Sequence, residues 1–156
     1  MTWKTISFDN LTLEQLYEIM AVRQEVFVVE QDCPYLDADG KDKHCYHVLG
    51  YENDRLVAYS RLVPKGISYS DSVSIGRILT TEKGRGRQFG KALVQYSIEE
   101  ANRLFQPKKI TISAQCYLIK FYEKFGFQVV GEEYLEDDIP HIKMIITYQE
   151  STDVQR

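Results

Sequence analysis

Residues 82–93 read EKGRGRQFGKAL and gather Lys83, Arg85, Arg87 and Lys91 around three glycines, in a chain of formal net charge −4. A predicted strand, VSIGRILTT (residues 73–81), leads into this turn, and a helical pattern starts at Phe89. No Ser, Thr, Asp or Asn stands at the start of that helix, so its first N–H groups lack an obvious side-chain acceptor. Those groups, the helix dipole and the basic side chains together favour a bound phosphate or pyrophosphate. The alternative is a glycine-capped helix whose charges are simply solvated.

Two familiar phosphate-binding motifs do not fit this turn. A Walker A loop needs a glycine where this chain has Arg85 and a hydroxyl residue where it has Ala92. The dinucleotide fingerprint G-x-G-x-x-G is missed by one residue, because Gly84, Gly86 and Gly90 are spaced G-x-G-x-x-x-G. The pattern therefore argues against a P-loop and against classical NAD binding.

The segments on either side of the turn alternate between strand and helix patterns. Thr12 and Gln15 form a capping box that predicts a helix to about Val28, and an acidic loop follows over residues 30–43. In the strand 73–81 we expect Val73, Ile75, Arg77 and Leu79 to share one face. The other predicted strands are residues 3–8, 45–51, 55–63, 108–115, 127–134 and 142–148, and the other predicted helices start at Phe89 and at Tyr117, with residues 135–141 as a loop. The pattern predicts a mixed α/β domain over residues 1–150, with six to seven strands flanked by helices and a frayed tail at 151–156.

Composition limits the class of protein. The pI near 5.4 argues against general binding of nucleic acid, and no run approaches the length of a membrane span. The N-terminal residues lack the apolar run of a signal peptide, so a cytoplasmic location is expected. Cys33, Cys45 and Cys116 contain no CxxC pair and suggest neither disulfides nor a metal site.

A second motif lies in SAQCYLIKFYEKFGF (residues 113–127), where a strand ends at Gln115 and a helix holding Phe121 and Tyr122 ends at Gly126. Together with the basic turn, it resembles the GNAT acyltransferase superfamily and, within that, its ElaA-like branch. The pyrophosphate loop of that family usually has Arg or Gln first, Gly fourth and Gly or Ala sixth. Here residues 85–90 supply Arg85 and Gly90 but have Gln88 in place of the inner glycine. RQEVFVVEQDCPYLDADG (23–40), IGRILTT (75–81) and EEYLEDDIPHIKM (132–144) are also similar to the branch.

This resemblance implies a GNAT fold with a centrally splayed sheet and an N-acetyltransferase that uses acetyl-CoA without a metal. An amine of a small molecule or peptide would attack the thioester directly. Tyr122 matches the general acid of the family, although an aromatic helix also explains it as a core residue. The implied cofactor-binding residues are Ile78, Leu79, Thr80, Arg85, Gly86, Arg87, Gln88, Phe89, Gly90 and Gln115.

Several choices stay open from the sequence. Glu30 is our candidate for the base that deprotonates the acceptor, with His47, His141 or a water as alternatives. The acids of the loops at 30–43 and 135–141 either attract a cationic amine or are solvated. Gln88 also allows a non-catalytic module that binds CoA or acyl-CoA, and the anion cradle alone allows a nucleotide or phosphosugar binder. Either a monomer or a homodimer through the sheet edges is compatible with the pattern.

Overall fold

A computed structural model describes residues 1–148, which form one seven-stranded sheet with three α-helices. The strand order is β1-β2-β3-β4-β5-β7-β6, and every neighbouring pair is antiparallel except β4 and β5. The predicted frayed tail, residues 151–156, lies outside the described part of the chain. The strands are β1 Thr2–Ser7, β2 Tyr46–Glu52, β3 Arg55–Val63, β4 Val73–Thr80, β5 Lys109–Gln115, β6 Gln128–Glu136 and β7 Ile139–Thr147, and the helices are α1 Leu13–Arg23, α2 Phe89–Phe105 and α3 Ile119–Glu123.

The two parallel strands at the centre of the sheet are paired over a very short distance. Only Val73 with Ile110 and Ser74 with Thr111 are partners between β4 and β5. Beyond these pairs, the facing edges of β4 and β5 have no strand partner in the described chain. The centrally splayed sheet that was expected is therefore present, and the gap between β4 and β5 is open to a ligand.

Apolar side chains cover both faces of the sheet. One core cluster joins Leu93 and Ile98 of α2 and Tyr122 of α3 to one face, and a second joins Ile19 of α1 to the other face. Neighbouring residues such as Val48 and Leu49 lie in different clusters, as the two-residue period of a strand requires.

Two predicted helix starts, after Thr12 and at Phe89, agree with the structure, whereas α3 begins at Ile119 and not at Tyr117, because residues Cys116–Leu118 form a 3₁₀ turn. The Thr12 Oγ1 accepts the Gln15 N–H at 3.0 Å and the Gln15 Oε1 accepts the Thr12 N–H at 2.9 Å, so the capping box is formed. The first helix runs past the predicted end at Val28, because a π-helical segment, Gln24–Glu30, continues α1. Gly126, which has φ of +100°, follows α3 as predicted.

Two sequence predictions were wrong. Residues 135–141 are not a loop: β6 and β7 form a hairpin in which Asp137 and Asp138 alone make the turn, with φ of 51° and 61°. Carboxylates do not give the usual Asn-Gly signal for such a turn, and Pro140 lowers the strand propensity of β7.

The face assignment of β4 was also wrong. Between the pairs Arg61–Gly76 and Tyr59–Leu79, β4 has one more residue than β3, and Arg77 has φ of 49°. This β-bulge shifts the alternation by one residue. Val73 and Ile75 therefore pack in the first core cluster, whereas Leu79 packs in the second.

Candidate active site

A cleft of about 560 Å³ opens between the splayed ends of β4 and β5. The π-helical segment, α3 and the β6–β7 turn complete its walls. Eight of the residues predicted for the site line it: Glu30, Ile78, Leu79, Thr80, Arg85, Gly90, Gln115 and Tyr122. Gly86, Arg87, Gln88 and Phe89 belong to the adjoining turn and do not line the cleft.

The edge of β4 that faces β5 has no strand partner from Ile75 onward within the described residues. The opposite edge remains bonded to β3, through pairs such as Tyr59 with Leu79. Backbone groups on the open edge are therefore able to bond a ligand laid along the strand. The bulge at Arg77 adds to this, because it interrupts regular pairing where the cleft begins.

The turn before α2 leaves backbone donors without acceptors. After the 3₁₀ turn Glu82–Gly84, Gly86 has φ of +77°, and Gln88 has a left-handed backbone with φ of 61° and ψ of 21°. No side chain caps α2, and no group in residues 1–148 accepts a hydrogen bond from the N–H groups of residues 86–91. A Cβ added to Gly90 would lie 4.0 Å from both Phe121 and Thr80. The absence of a side chain at Gly90 therefore leaves space in the cleft between these two residues.

Two of the basic side chains in this turn already have partners. The Arg85 guanidinium donates to Glu30 at 2.6 Å and to the Thr80 carbonyl at 3.0 Å. Arg87 donates to Glu52 at 2.7 Å and stacks over Phe89. Both pairs are solvent-exposed, so they cost little to exchange for a phosphate. Glu30, the predicted base, is thus held by an arginine of the predicted anion site.

Tyr122 packs as a core aromatic while its hydroxyl stays available. Its ring makes edge contacts with Phe121 and Phe127, and the residue is 6% exposed. The hydroxyl makes no hydrogen bond with any described residue, although Tyr122 lines the cleft. Burial, with a smaller contribution from Tyr117, raises the pKa of the phenol, which therefore stays protonated at neutral pH.

His47 is a structural residue. Its ring is fully buried, with Nδ1 at 2.7 Å from the Tyr59 hydroxyl and Nε2 at 3.0 Å from the Asp42 carbonyl oxygen. Burial lowers the pKa of His47, and the residue does not line the cleft. The sequence alternative that made His47 the base is therefore wrong, whereas His141 lies on the cleft wall.

Three acids of the loop after α1 are held by arginines and do not line the cleft. Asp37, Asp39 and Asp42 are bound by arginines from three separate elements: Arg23 of α1, Arg61 of β3 and Arg77 of β4. Three carboxylates and three guanidinium groups leave this network neutral. Both sequence interpretations were wrong for these three acids.

This arginine network was missed because its members are far apart in the chain. A signal for it existed, since Arg61 and Arg77 stand within predicted apolar strands, where a charged side chain needs a partner. Arg23 is the most deeply buried of the three, with Nε at 2.6 Å from Asp37 and Nη1 at 2.6 Å from Asp42.

The cysteines offer no activated thiol. Cys45 is buried, and burial raises the pKa of its thiol to about 11. Burial also raises the pKa of Cys116, which is partly exposed.

Within residues 1–148, no group of three His, Cys, Asp or Glu side chains is placed to hold a metal ion. No helix in the same range has the length and apolar content to cross a bilayer.

The chain is similar to known proteins over nearly its whole length. A family model described as an acetyltransferase (GNAT) domain matches residues 12–148. A UPF0039 protein of Synechocystis is 43% identical over 146 residues, which are 93% of this chain and 94% of the relative. Protein ElaA of Escherichia coli is 41% identical over 144 residues, which are 91% of this chain and 94% of ElaA.

Two crystal structures share the fold closely. That of E. coli ElaA has a TM-score of 0.87 at 39% identity, covering 93% of this chain and 98% of ElaA. That of an acyl-CoA N-acyltransferase from Pseudomonas aeruginosa has a TM-score of 0.88 at 38% identity, covering 94% of this chain and 100% of that one. The α/β fold class predicted from the sequence is therefore confirmed.

Proposed function

Because the chain belongs to the GNAT acetyltransferase family, we propose that it moves the acetyl group of acetyl-CoA to a primary amine by direct attack in a ternary complex. One observation carries this proposal. The open edge of β4 and Tyr122 line one cleft, and the uncapped start of α2 adjoins it at Gly90. Within residues 1–148, the N–H groups of that turn and the Tyr122 hydroxyl have no hydrogen-bond partner. An extended amide-containing arm, a departing thiolate and a diphosphate need the β4 edge, Tyr122 and the start of α2 respectively.

The residues of the basic turn fit the diphosphate of acetyl-CoA. No group in the described residues, 1–148, accepts a hydrogen bond from the N–H groups of residues 86–91, and Gly86 and Gly90 let an anion approach the backbone. Arg85 would exchange its exposed bond to Glu30 for a phosphate oxygen. Gln115, at the end of β5, would contact the cofactor from the other side of the cleft.

The open edge of β4 would hold the arm of the cofactor. Backbone groups of residues 78–80 would bond its amides and would donate to the thioester oxygen as it gains negative charge. Each preorganised N–H donor contributes about 3 kcal/mol to such a transition state. Because backbone atoms have this role, the side chains of Ile78 and Leu79 can pack in the core.

Tyr122 would protonate the sulfur that leaves. Acetyl-CoA supplies the activated acetyl group, and the phenol hydroxyl donates to the departing thiolate as the C–S bond breaks. The raised pKa of Tyr122 keeps this proton in place over the working range of pH. Glu30 and His141 both line the cleft and are the side-chain candidates for the base, with a water as the alternative.

The test is an assay of thiol release from acetyl-CoA with a panel of primary amines: n-butylamine, putrescine and a lysine-containing peptide. We expect at least one amine to stimulate release. Tyr122→Phe should lower kcat about 100-fold or more with little change in acetyl-CoA binding, because the phenyl ring keeps its packing. The matched control is Tyr17→Phe, an exposed tyrosine on α1, which should leave kcat unchanged.

Other results would favour the rival functions. CoA-dependent thermal stabilisation without turnover on any amine would favour a non-catalytic CoA-binding module. No amine-stimulated release, together with no effect of Tyr122→Phe, would exclude the enzyme.

A further inference from the structure

His141 is held in one tautomer by its own strand. Its Nδ1 lies 2.7 Å from the carbonyl oxygen of Ile139, which only accepts hydrogen bonds, so Nδ1 carries the proton. In the neutral ring, Nε2 is then the atom with a lone pair. His141 is only 6% exposed and lines the cleft, and no hydrogen bond joins its Nε2 to the described residues. The ring thus presents an unpartnered acceptor at this end of the cleft.

Glu136 provides a second acceptor beside it. The Glu136 Oε2 lies 3.6 Å from the His141 Nε2, which is longer than a hydrogen bond. A neutral Nε2 and a carboxylate both accept, so neither satisfies the other. The Ser113 hydroxyl of β5 lies 3.4 Å from the Glu136 Oε1 and also bonds to the Tyr134 hydroxyl. The ring of Tyr134 stacks on His141 at 6.2 Å.

The two acceptors, His141 Nε2 and Glu136 Oε2, need a hydrogen-bond donor, and an ammonium group can serve both. It has three N–H donors and a positive charge, so it can donate to Nε2 and to a carboxylate at the same time. We propose that His141 and Glu136 bind the ammonium group of the acceptor amine and that His141 takes its proton before acetyl transfer. This assignment rests on the proposed acetyltransferase function and names the base and the acceptor class for it.

The proton balance is complete without a further reactant. The ammonium R–NH₃⁺ gives one proton to Nε2, and the imidazolium that forms makes an ion pair with Glu136. The neutral amine nitrogen forms the new C–N bond, and the C–S bond breaks. Tyr122 protonates the departing sulfur and regains a proton from the amide nitrogen. His141 returns its proton to solvent, so one proton is released for each acetyl group transferred.

The charges of the cleft also restrict the acceptor. Arg77 and Arg85 are its two arginines, and both are bound to carboxylates. Glu136 and Asp137 line the end that holds His141, and no lysine or arginine is paired with either side chain in residues 1–148. A carboxylate on the acceptor would be repelled there, whereas a second ammonium group would be attracted. The acceptor class is therefore an aliphatic amine or diamine without a nearby carboxylate.

Three probes with four carbon atoms each test the acceptor class. They are putrescine, n-butylamine and 4-aminobutyrate, which carry an ammonium, a methyl and a carboxylate group at the far end. We expect kcat/KM to fall in that order, with 4-aminobutyrate at least tenfold below n-butylamine. Equal values for n-butylamine and 4-aminobutyrate would overturn the charge argument.

His141→Gln tests the base, because glutamine accepts a hydrogen bond but takes no proton at neutral pH. We expect kcat to fall about 100-fold or more, with the KM for acetyl-CoA unchanged. Glu136→Gln should mainly raise the KM for the amine, by about tenfold for one lost charge-assisted bond. The matched controls are His44→Gln, on an exposed histidine, and Asp138→Asn, on the same turn but off the cleft wall. Full activity in His141→Gln would overturn the assignment.

A binding measurement separates this proposal from the acetyltransferase function itself. Long-range ¹H–¹⁵N spectra of the whole protein should show His141 as the Nδ1–H tautomer, with Nε2 shifting when putrescine is added in the presence of CoA. An Nε2–H tautomer, or no shift with putrescine, overturns the proposal even if the wild type acetylates amines. A shift in a wild type without turnover would support the ammonium site and exclude the acetyltransferase. The shift should need about tenfold more putrescine in Glu136→Gln and the wild-type concentration in Asp138→Asn.

Discussion

Gln88 has a left-handed backbone conformation, with φ of 61° and ψ of 21°, at the start of α2. The family pattern usually has glycine at this position, and glycine adopts such a conformation without the steric cost that a Cβ brings. The departure from the pattern therefore has a visible consequence in this chain. The backbone keeps the shape of the turn, but this conformation is strained for a residue that has a Cβ.

We expect Gln88→Gly to raise the free energy of unfolding by about 1 kcal/mol, because the left-handed conformation then costs nothing. Binding of CoA should be kept or tightened, since the backbone N–H groups do not depend on the side chain. Urea unfolding and calorimetric titration with CoA measure the two effects.

Gln106 offers a matched control at the other end of α2. It also has a left-handed backbone, with φ of 45° and ψ of 55°, and it is remote from the cleft lining. Gln106→Gly should stabilise the protein in the same way and leave CoA affinity unchanged. A loss of CoA binding in Gln88→Gly alone would show instead that the glutamine side chain contacts the cofactor.

Single residues of the candidate site were predictable where the signal for them lies in neighbouring residues of the sequence. The uncapped helix start, Gly90 and Tyr122 follow from residues close together in the sequence, and they border one cleft. The pairing of Arg85 with Glu30 was not predictable, because 55 positions separate the two residues. Their assigned roles in binding and catalysis remain predictions that the assays above decide.

At the scale of elements, buried arginines fix the acidic loop between α1 and β2 to the sheet. Asp42 accepts hydrogen bonds from Arg23 at 2.6 Å and from Arg61 at 2.9 Å, with 8% of its side chain exposed. Burial alone would raise the pKa of Asp42, but the hydrogen bonds and charges of Arg23 and Arg61 outweigh it and lower the pKa. Buried ion pairs therefore hold the loop to the sheet.

Asp42→Asn should destabilise the protein by about 3 kcal/mol at neutral pH, because two buried guanidinium groups lose their shared counter-charge. The folded-state pKa of Asp42 is depressed, so its contribution is complete above the unfolded value near 3.8 and is lost as pH falls through the folded value. Wild-type stability should thus decline below about pH 4 more steeply than that of Asp42→Asn. Urea unfolding at pH 7 and pH 3 measures both.

Asp71→Asn is the matched control for this network. Asp71 pairs with Lys109 at 2.7 Å, but its side chain is 71% exposed, so solvent screens the pair. We expect a far smaller loss of stability than for Asp42→Asn. Similar losses in the two variants would contradict the view that burial makes the arginine network important.

Elements with strong local signals were predictable, and those set by partners were not. The capping box at Thr12 and the glycine after α3 fixed two helix ends correctly. The bulge at Arg77 was not visible in the alternation of β4, because it depends on pairing with β3 and on the carboxylates that bind Arg77. The β6–β7 hairpin was missed because a turn of two aspartates resembles a solvated loop.

At the scale of the whole molecule, two residue pairs join the two halves of the sheet at the splay. The apolar cluster beneath it, with Leu93 and Tyr122, completes the connection. A ligand that binds the start of α2 and both walls of the cleft would add contacts between the halves. Such a ligand stabilises the folded chain according to its affinity and concentration.

CoA should therefore raise the thermal unfolding midpoint. At a concentration of 100 times its Kd, the gain is about 2.7 kcal/mol, which corresponds to roughly 5–10 °C for a domain of this size. ATP at the same concentration should give a much smaller shift, because it lacks the arm that the open edge of β4 would bind. The control is CoA with the Gly90→Leu variant, whose side chain would occupy the cleft wall beside Phe121 and Thr80. A larger shift with ATP than with CoA would favour the nucleotide binder, since the anion cradle would then act without the β4 edge.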